Sequence, residues 1–107
     1  MPGKPPQAYQ DFVKRFPELG EAWRLLHEGE AAGPLDLKTL RLVKLGIAIG
    51  AKQRGAVSSA VRKGLGAGLT PRELEQVVAC AASTIGLPAA VASYGWVREA
   101  VEKSERP

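Results

Sequence analysis

The sequence contains one cysteine, Cys80, and one histidine, His27. A single cysteine excludes both an intrachain disulfide and a Cys-x-x-Cys redox pair. With one thiol and one imidazole, a zinc or iron site would have to rely on carboxylates, which rarely suffice alone for those metals. We therefore expect no metal and no other cofactor.

Aromatic residues are also scarce, at 6% of the 107 residues, so the core has to be built from Ala, Val, Leu and Ile. Small core residues let helices approach closely, but each of them buries little area. A chain of this length is expected to form one domain that buries about two-thirds of its unfolded surface. These features favour further burial through contacts between subunits.

Long apolar runs are missing as well. The longest, Leu42 to Ala51, is interrupted by Lys44 and is too short to span a bilayer. The first six residues include a lysine but lack the apolar segment of a signal peptide. We expect a cytoplasmic protein that has no membrane partner.

The chain carries a net charge of +4, which raises the question of a nucleic-acid partner. The cations are interleaved with acids, as in Glu99, Glu102 and Lys103, and no basic run alternates with aromatic residues. No helix-turn-helix or RNA-binding signature is present. The charge pattern therefore favours a solvated surface over a nucleic-acid site.

The spacing of apolar residues predicts helices throughout and no strand. Residues 1–6 are predicted to be a disordered arm, residues 7–103 a single all-α domain, and residues 104–107 a frayed tail. Proline, glycine and capping residues divide the domain into six helices. They are predicted at Gln7–Phe16, Pro17 to before Gly33, Leu37–Ala51, Gly55–Leu65, Pro71–Ile85, and from Pro88 onward.

The clearest local signal is the segment Thr70-Pro71-Arg72-Glu73. Thr70 is expected to cap the helix, Pro71 to take its first position, and Glu73 to close a capping box. The apolar residues that follow form a core stripe, beside which Cys80 is expected to be a small buried residue. His27, near the end of the second helix, is expected at the surface.

The third predicted helix is apolar on almost every side, except for a row of cations at Lys38, Arg41 and Lys44. Such a helix is central, buried by its own domain and by a neighbouring subunit. The last helix is expected to pack through Val91, Tyr94, Val97 and Val101. The aromatic residues Trp23, Tyr94 and Trp96 are expected to anchor the core or an interface.

Four segments together resemble the carboxymuconolactone decarboxylase family, whose fold is the AhpD-like helical one. The segment Ala67–Leu74 reads AGLTPREL, and Ile85–Ala90 reads IGLPAA; as a pair they are fairly specific. The other two segments are Leu42–Gly50 and Gly55–Lys63. The resemblance implies an all-α, AhpD-like, alkylhydroperoxidase-like domain that forms a homotrimer or a homohexamer.

Two activities are associated with this family. One branch is a disulfide reductase linked to peroxidase (peroxiredoxin) activity, with a Cys-x-x-Cys, a histidine and an upstream glutamate; the other decarboxylates a muconolactone with a histidine. By the resemblance, the histidine position falls at Ala60, the cysteine positions fall near Ala56 and Gln53, and the glutamate position falls near Arg41. We therefore expect no catalytic residue of either kind and no dithiol chemistry.

In the family fold, the third helix and the helix with Ser58 and Ser59 line a pocket. The resemblance makes Arg41, Lys44, Arg54, Ser58 and Ser59 the candidate pocket residues. Cations in a pocket suit a carboxylate or phosphate. The alternative is that Arg41 and Lys44 lie with Lys38 on a solvated edge of the helix.

Three functions stay open. In the first, the chain is inactive as a peroxidase and binds a small anionic molecule in an interface pocket. In the second, it is an enzyme of the decarboxylase or isomerase type that works through Arg41, Lys44 and a bound water. In the third, it is a structural homo-oligomer without catalysis.

Overall fold

A computed structural model describes residues 5–105, so the predictions for residues 1–4 and 106–107 lie outside the described part. Residues 5–105 form six helices and no strand, which confirms the all-α fold. The helices are α1 (Gln7–Arg15), α2 (Pro17–Ala31), α3 (Leu37–Gly50), α4 (Arg54–Gly66), α5 (Pro71–Ile85) and α6 (Leu87–Glu105).

Two compact units make up this chain, one formed by α1 and α2 and the other by α3 to α6. That they fold together as a single domain over residues 7–103 stays a prediction. In the first unit α1 contacts α2 near Gly20, where an added Cβ would lie 3.2 Å from the Cβ of Val13. Neither helix buries a residue, and Phe12, Phe16 and Trp23 are each exposed by more than two-fifths.

The second unit holds the hydrophobic core. The helix α6 packs against both α4 and α5, and α3 packs against the same two helices. The fully buried apolar side chains come from all four helices and are mostly aliphatic, as the low aromatic content predicts. They are Leu45, Ile49, Val57, Val61, Leu74 and Val97.

A turn at Gly68 and a capping box at Thr70 determine where α5 begins. Gly68 adopts φ +94°, a left-handed conformation that favours glycine, and ends the turn after α4. At the start of α5, the Thr70 hydroxyl accepts from Glu73 N–H at 3.1 Å and Thr70 N–H donates to Glu73 Oε1 at 2.8 Å. This reciprocal pair is the predicted capping box, with Pro71 at the first helical position.

Three expectations about burial are wrong. Cys80 is exposed on α5, because it lies off the stripe of Leu74 and Val78 that faces the core. In α6, Val97 and Val101 are buried, whereas Val91 and Tyr94 are 59% and 39% exposed. Steps of three residues each rotate by about 300°, so the predicted row drifts around the helix and leaves the core at its N-terminal end.

Candidate functional site

The helices α3 and α4 with the turn between them, residues 37–66, form a hairpin whose charged residues are all basic. We call it the α3–α4 hairpin. It carries seven lysines and arginines and no acidic residue. A segment that contributes cations and no acid of its own raises the local positive potential and attracts anions. The cations are Lys38, Arg41, Lys44, Lys52, Arg54, Arg62 and Lys63.

The candidates Arg41 and Lys44 are half-buried, whereas Lys38 is exposed. That Arg41 and Lys44 line a pocket and that they share a solvated edge with Lys38 both stay predictions, and α3 also exposes apolar side chains. Val43 is 45% exposed and Ile47 65% exposed, and they lie one turn apart. Arg41 and Lys44 are more buried than Lys38, and a partly buried charge is screened less than one in water.

Arg54, the third candidate, already has a carboxylate partner. Its Nη2 donates to both carboxylate oxygens of Glu99 in α6, at 2.8 and 3.0 Å, and Lys103 Nζ lies 3.3 Å from Glu99 Oε1. The two cations hold the pKa of the Glu99 carboxyl below its ordinary value, with the Arg54 hydrogen bond the larger cause. Arg54 therefore ties the start of α4 to α6 and is less available to an anionic ligand.

The two serines lie in the middle of α4, and both are half-buried. Ser59 Oγ accepts a hydrogen bond from Arg62 Nη2 at 3.4 Å, within the same helix. An arginine donates but does not take a proton from a serine, so this contact does not activate Ser59 as a nucleophile. The serines are therefore suited to binding rather than to covalent chemistry.

The positions that the resemblance assigns to the family's redox residues lie at the start and middle of α4. Gln53 is the N-cap residue, Ala56 is exposed in the first turn, and Ala60 is half-buried. The chain's thiol is on α5 instead, and its imidazole is on α2, where the His27 ring contacts Trp23 at 4.9 Å between centroids. The helix α4 therefore contains neither a thiol nor an imidazole.

In two cavities that border α6, the lining includes none of the five candidate pocket residues. The larger, about 660 Å³, is a groove between α5 and α6 with an apolar floor that includes Val78, Ala82 and Ala90. The smaller, about 440 Å³, is lined by Lys52, Ser93 and Trp96 among others. Ser93 is 1% exposed, and Lys52 adopts a left-handed φ of 56°.

Two features are absent from residues 5–105. Within that range, no group of three or more His, Cys, Asp and Glu side chains is placed to hold a metal ion. Of the helices described, none is both long enough and apolar enough to cross a membrane.

Sequence reasoning missed the acid-free hairpin. The interleaving of charges seen near Glu99 does not extend to residues 37–66, and counting charges helix by helix would have shown the segregation. It also missed Lys52, whose left-handed backbone conformation has no local sequence signal because lysine rarely adopts it.

Residues 17–99 match the model of the carboxymuconolactone decarboxylase family. No curated protein and no solved structure matches the chain. The family match covers most of the chain and extends from α2 to α6, so it includes the α3–α4 hairpin and both cavities. The chain belongs to the carboxymuconolactone decarboxylase family.

Proposed function

We propose that this chain is a family member without dithiol chemistry, whose function is to bind a small anionic molecule at the α3–α4 hairpin. The observation that carries the proposal is the segregation of charge: seven cations and no acid in residues 37–66. Arg41 and Lys44, both half-buried on α3, are the residues proposed to contact the anion.

Several cations of the hairpin have other roles. Arg54 is paired with Glu99, and Lys38 lies close enough to Glu73 to help lower the pKa of that carboxyl, after the larger effect of the hydrogen bonds from Thr70. Arg41 is the one arginine on α3 and is half-buried. A guanidinium matches the geometry of carboxylate and phosphate groups. This favours Arg41 as the main contact and Lys44 as an added point charge.

The proposal predicts that inorganic phosphate binds to the purified protein. Binding is measured by ³¹P NMR titration of the wild type and of the Arg41→Met/Lys44→Met variant. The variant is expected to lose at least tenfold in affinity, since both charges nearest the site are removed. The matched control is Lys14→Met/Arg15→Met, which removes the same two residue types from exposed positions on α1.

Equal affinity in the two double variants would show that phosphate responds only to net charge, which would overturn the proposed site. Undetectable binding to the wild type would overturn the anion-binding function itself. Circular dichroism of both variants verifies that the helices are retained.

The proposed absence of dithiol chemistry has a separate test. In a peroxide-reduction assay with a dithiol reductant, we expect the wild type and Cys80→Ser to give the same rate as the reductant alone. A reductase of this kind needs a thiolate pair that can form a disulfide within one active site, and this chain has one thiol. Turnover above the background that Cys80→Ser abolishes would contradict the proposal.

We also propose that the chain assembles with copies of itself, as a homotrimer or homohexamer. Family members are commonly oligomeric, and this chain leaves several large apolar side chains exposed on α3 and α6. Apolar patches of this kind mark contact surfaces. Native mass spectrometry of the wild type tests the assembly, and a monomer at micromolar concentration would contradict it.

A further inference from the structure

The helix α3 presents an apolar stripe to solvent. Val43 and Ile47 are spaced four residues apart, so they lie one above the other on the same face. They are 45% and 65% exposed, although the opposite face of α3 is buried through Leu45 and Ile49. We call Val43 and Ile47 the α3 stripe.

A surface of different shape, a groove, lies between α5 and α6 of the same four-helix unit. The α5–α6 groove, the cavity of about 660 Å³, has alanines along its floor, which leave room for larger side chains. Leu87, Val91 and Tyr94 form one of its walls and are 66%, 59% and 39% exposed. A helix with an apolar stripe fits a groove of this kind.

The two surfaces differ in charge as well as in shape. The α3 stripe lies on the hairpin with seven cations and no acid, whereas residues 71–105, which form α5 and α6, contain five glutamates against three cations. The groove itself is lined by both Glu75 and Arg72, and Glu102 lies 3.9 Å from Arg98, so the excess of acid belongs to the α5–α6 segment as a whole. Bringing two α3–α4 hairpins together would place like charges side by side, whereas a hairpin against the α5–α6 face brings opposite charges together.

We infer that the α3 stripe of one copy docks into the α5–α6 groove of a second copy. The inference rests on the proposed self-assembly and adds to it which surfaces meet. Each copy then uses two different patches, so the interface is heterologous rather than two-fold. A head-to-tail contact of this kind adds further copies until the rotation between neighbours closes a ring.

Two substitutions test the inference, Ile47→Glu in the stripe and Val91→Glu in the groove. Both replace exposed side chains, so the fold is expected to survive, which circular dichroism verifies. Sedimentation velocity of each variant alone is expected to show monomers. A one-to-one mixture is expected to give heterodimers and nothing larger, because it contains one intact stripe-to-groove contact.

The control is Ala92→Glu, an exposed position on α6 that lines the smaller cavity instead of the groove. It is expected to sediment as the wild type does. If Ile47→Glu alone keeps the wild-type mass while Val91→Glu does not, the groove pairs with itself and the inference is wrong.

If both variants keep the wild-type mass, another surface holds the assembly; the inference then fails and the proposed self-assembly stands. If the mixture stays monomeric although each variant is folded, the two surfaces do not meet. A wild type that is itself a monomer would overturn the self-assembly as well as the inference.

Discussion

At the residue scale, Thr70 shows how much one side chain can determine. Its hydroxyl accepts from Glu73 N–H, which otherwise has no partner in the first turn of α5. Replacing Thr70 with Ala is expected to lower the free energy of unfolding by about 1 kcal/mol, the usual effect of losing an N-cap. Urea unfolding followed by circular dichroism measures it, and an unchanged midpoint would show that water replaces the cap.

The carboxylate of Glu73 makes the stability that this turn provides depend on pH. Hydrogen bonds from Thr70 hold the pKa of Glu73 below its ordinary value. The ionised form is therefore favoured in the folded state, so its stabilising effect is complete above the unfolded-state pKa and is lost as the pH falls through the lower folded value. We expect Glu73→Gln to reduce the acid dependence of the urea midpoint; an identical dependence in both proteins would assign it to other carboxyls.

Two glycines within helices are expected to respond oppositely to alanine. A Cβ on Gly64 would lie 3.2 Å from side-chain carbons of both Leu69 and Leu74, two buried residues that would have to shift by a few tenths of an ångström. We expect Gly64→Ala to cost about 1–3 kcal/mol through overpacking. At Gly95 the space is open, and Gly95→Ala is expected to stabilise by about 0.5–1 kcal/mol. Thermal unfolding of the pair tests this, and a stable Gly64→Ala would mean that the core shifts to make room.

At the element scale, α3 has one face in the core and one in solvent. Leu45 is 0% exposed, and Leu45→Ala is expected to cost about 2–5 kcal/mol, because it removes buried contacts and leaves a cavity. Ile47→Ala is expected to change the stability of the monomer by less than about 0.5 kcal/mol. Urea titrations at low protein concentration compare the two, and a similar cost for both would show that Ile47 is buried in an assembly.

Sequence patterns predict the bounds of a helix best where capping and turn residues lie at its ends. The bounds of α5 follow from Thr70, Pro71 and Gly86, which act within one turn, and prediction and structure agree there. Which side chains of α6 face the core depends on how the helix packs against α4 and α5. No local signal specifies that packing, so the prediction that Val91 packs in the core is wrong. At the candidate site, the sequence marks Arg41 and Lys44 as unusual, whereas no local signal could show the Arg54–Glu99 pair, which joins residues 45 apart in the chain.

At the scale of the whole molecule, the separation of charge between the α3–α4 hairpin and the α5–α6 face should make self-association sensitive to salt. Dissolved ions screen exposed charges over about 10 Å at 0.1 M ionic strength. We expect the dissociation constant of the assembly to rise between 0.05 M and 0.5 M sodium chloride. Sedimentation equilibrium at both concentrations measures it, and tighter association at high salt would mean that apolar contacts alone hold the copies together.

The exposure of Cys80 has a practical consequence. Ser83 and Thr84 donate to its backbone carbonyl, at 3.4 and 3.3 Å, and leave the thiol open to solvent on α5. A maleimide dye or a nitroxide would therefore attach at one known position in each protomer, without any engineered cysteine. The native chain thus provides a single reporter site for measuring distances between the copies of the proposed assembly by energy transfer or by electron–electron spin coupling.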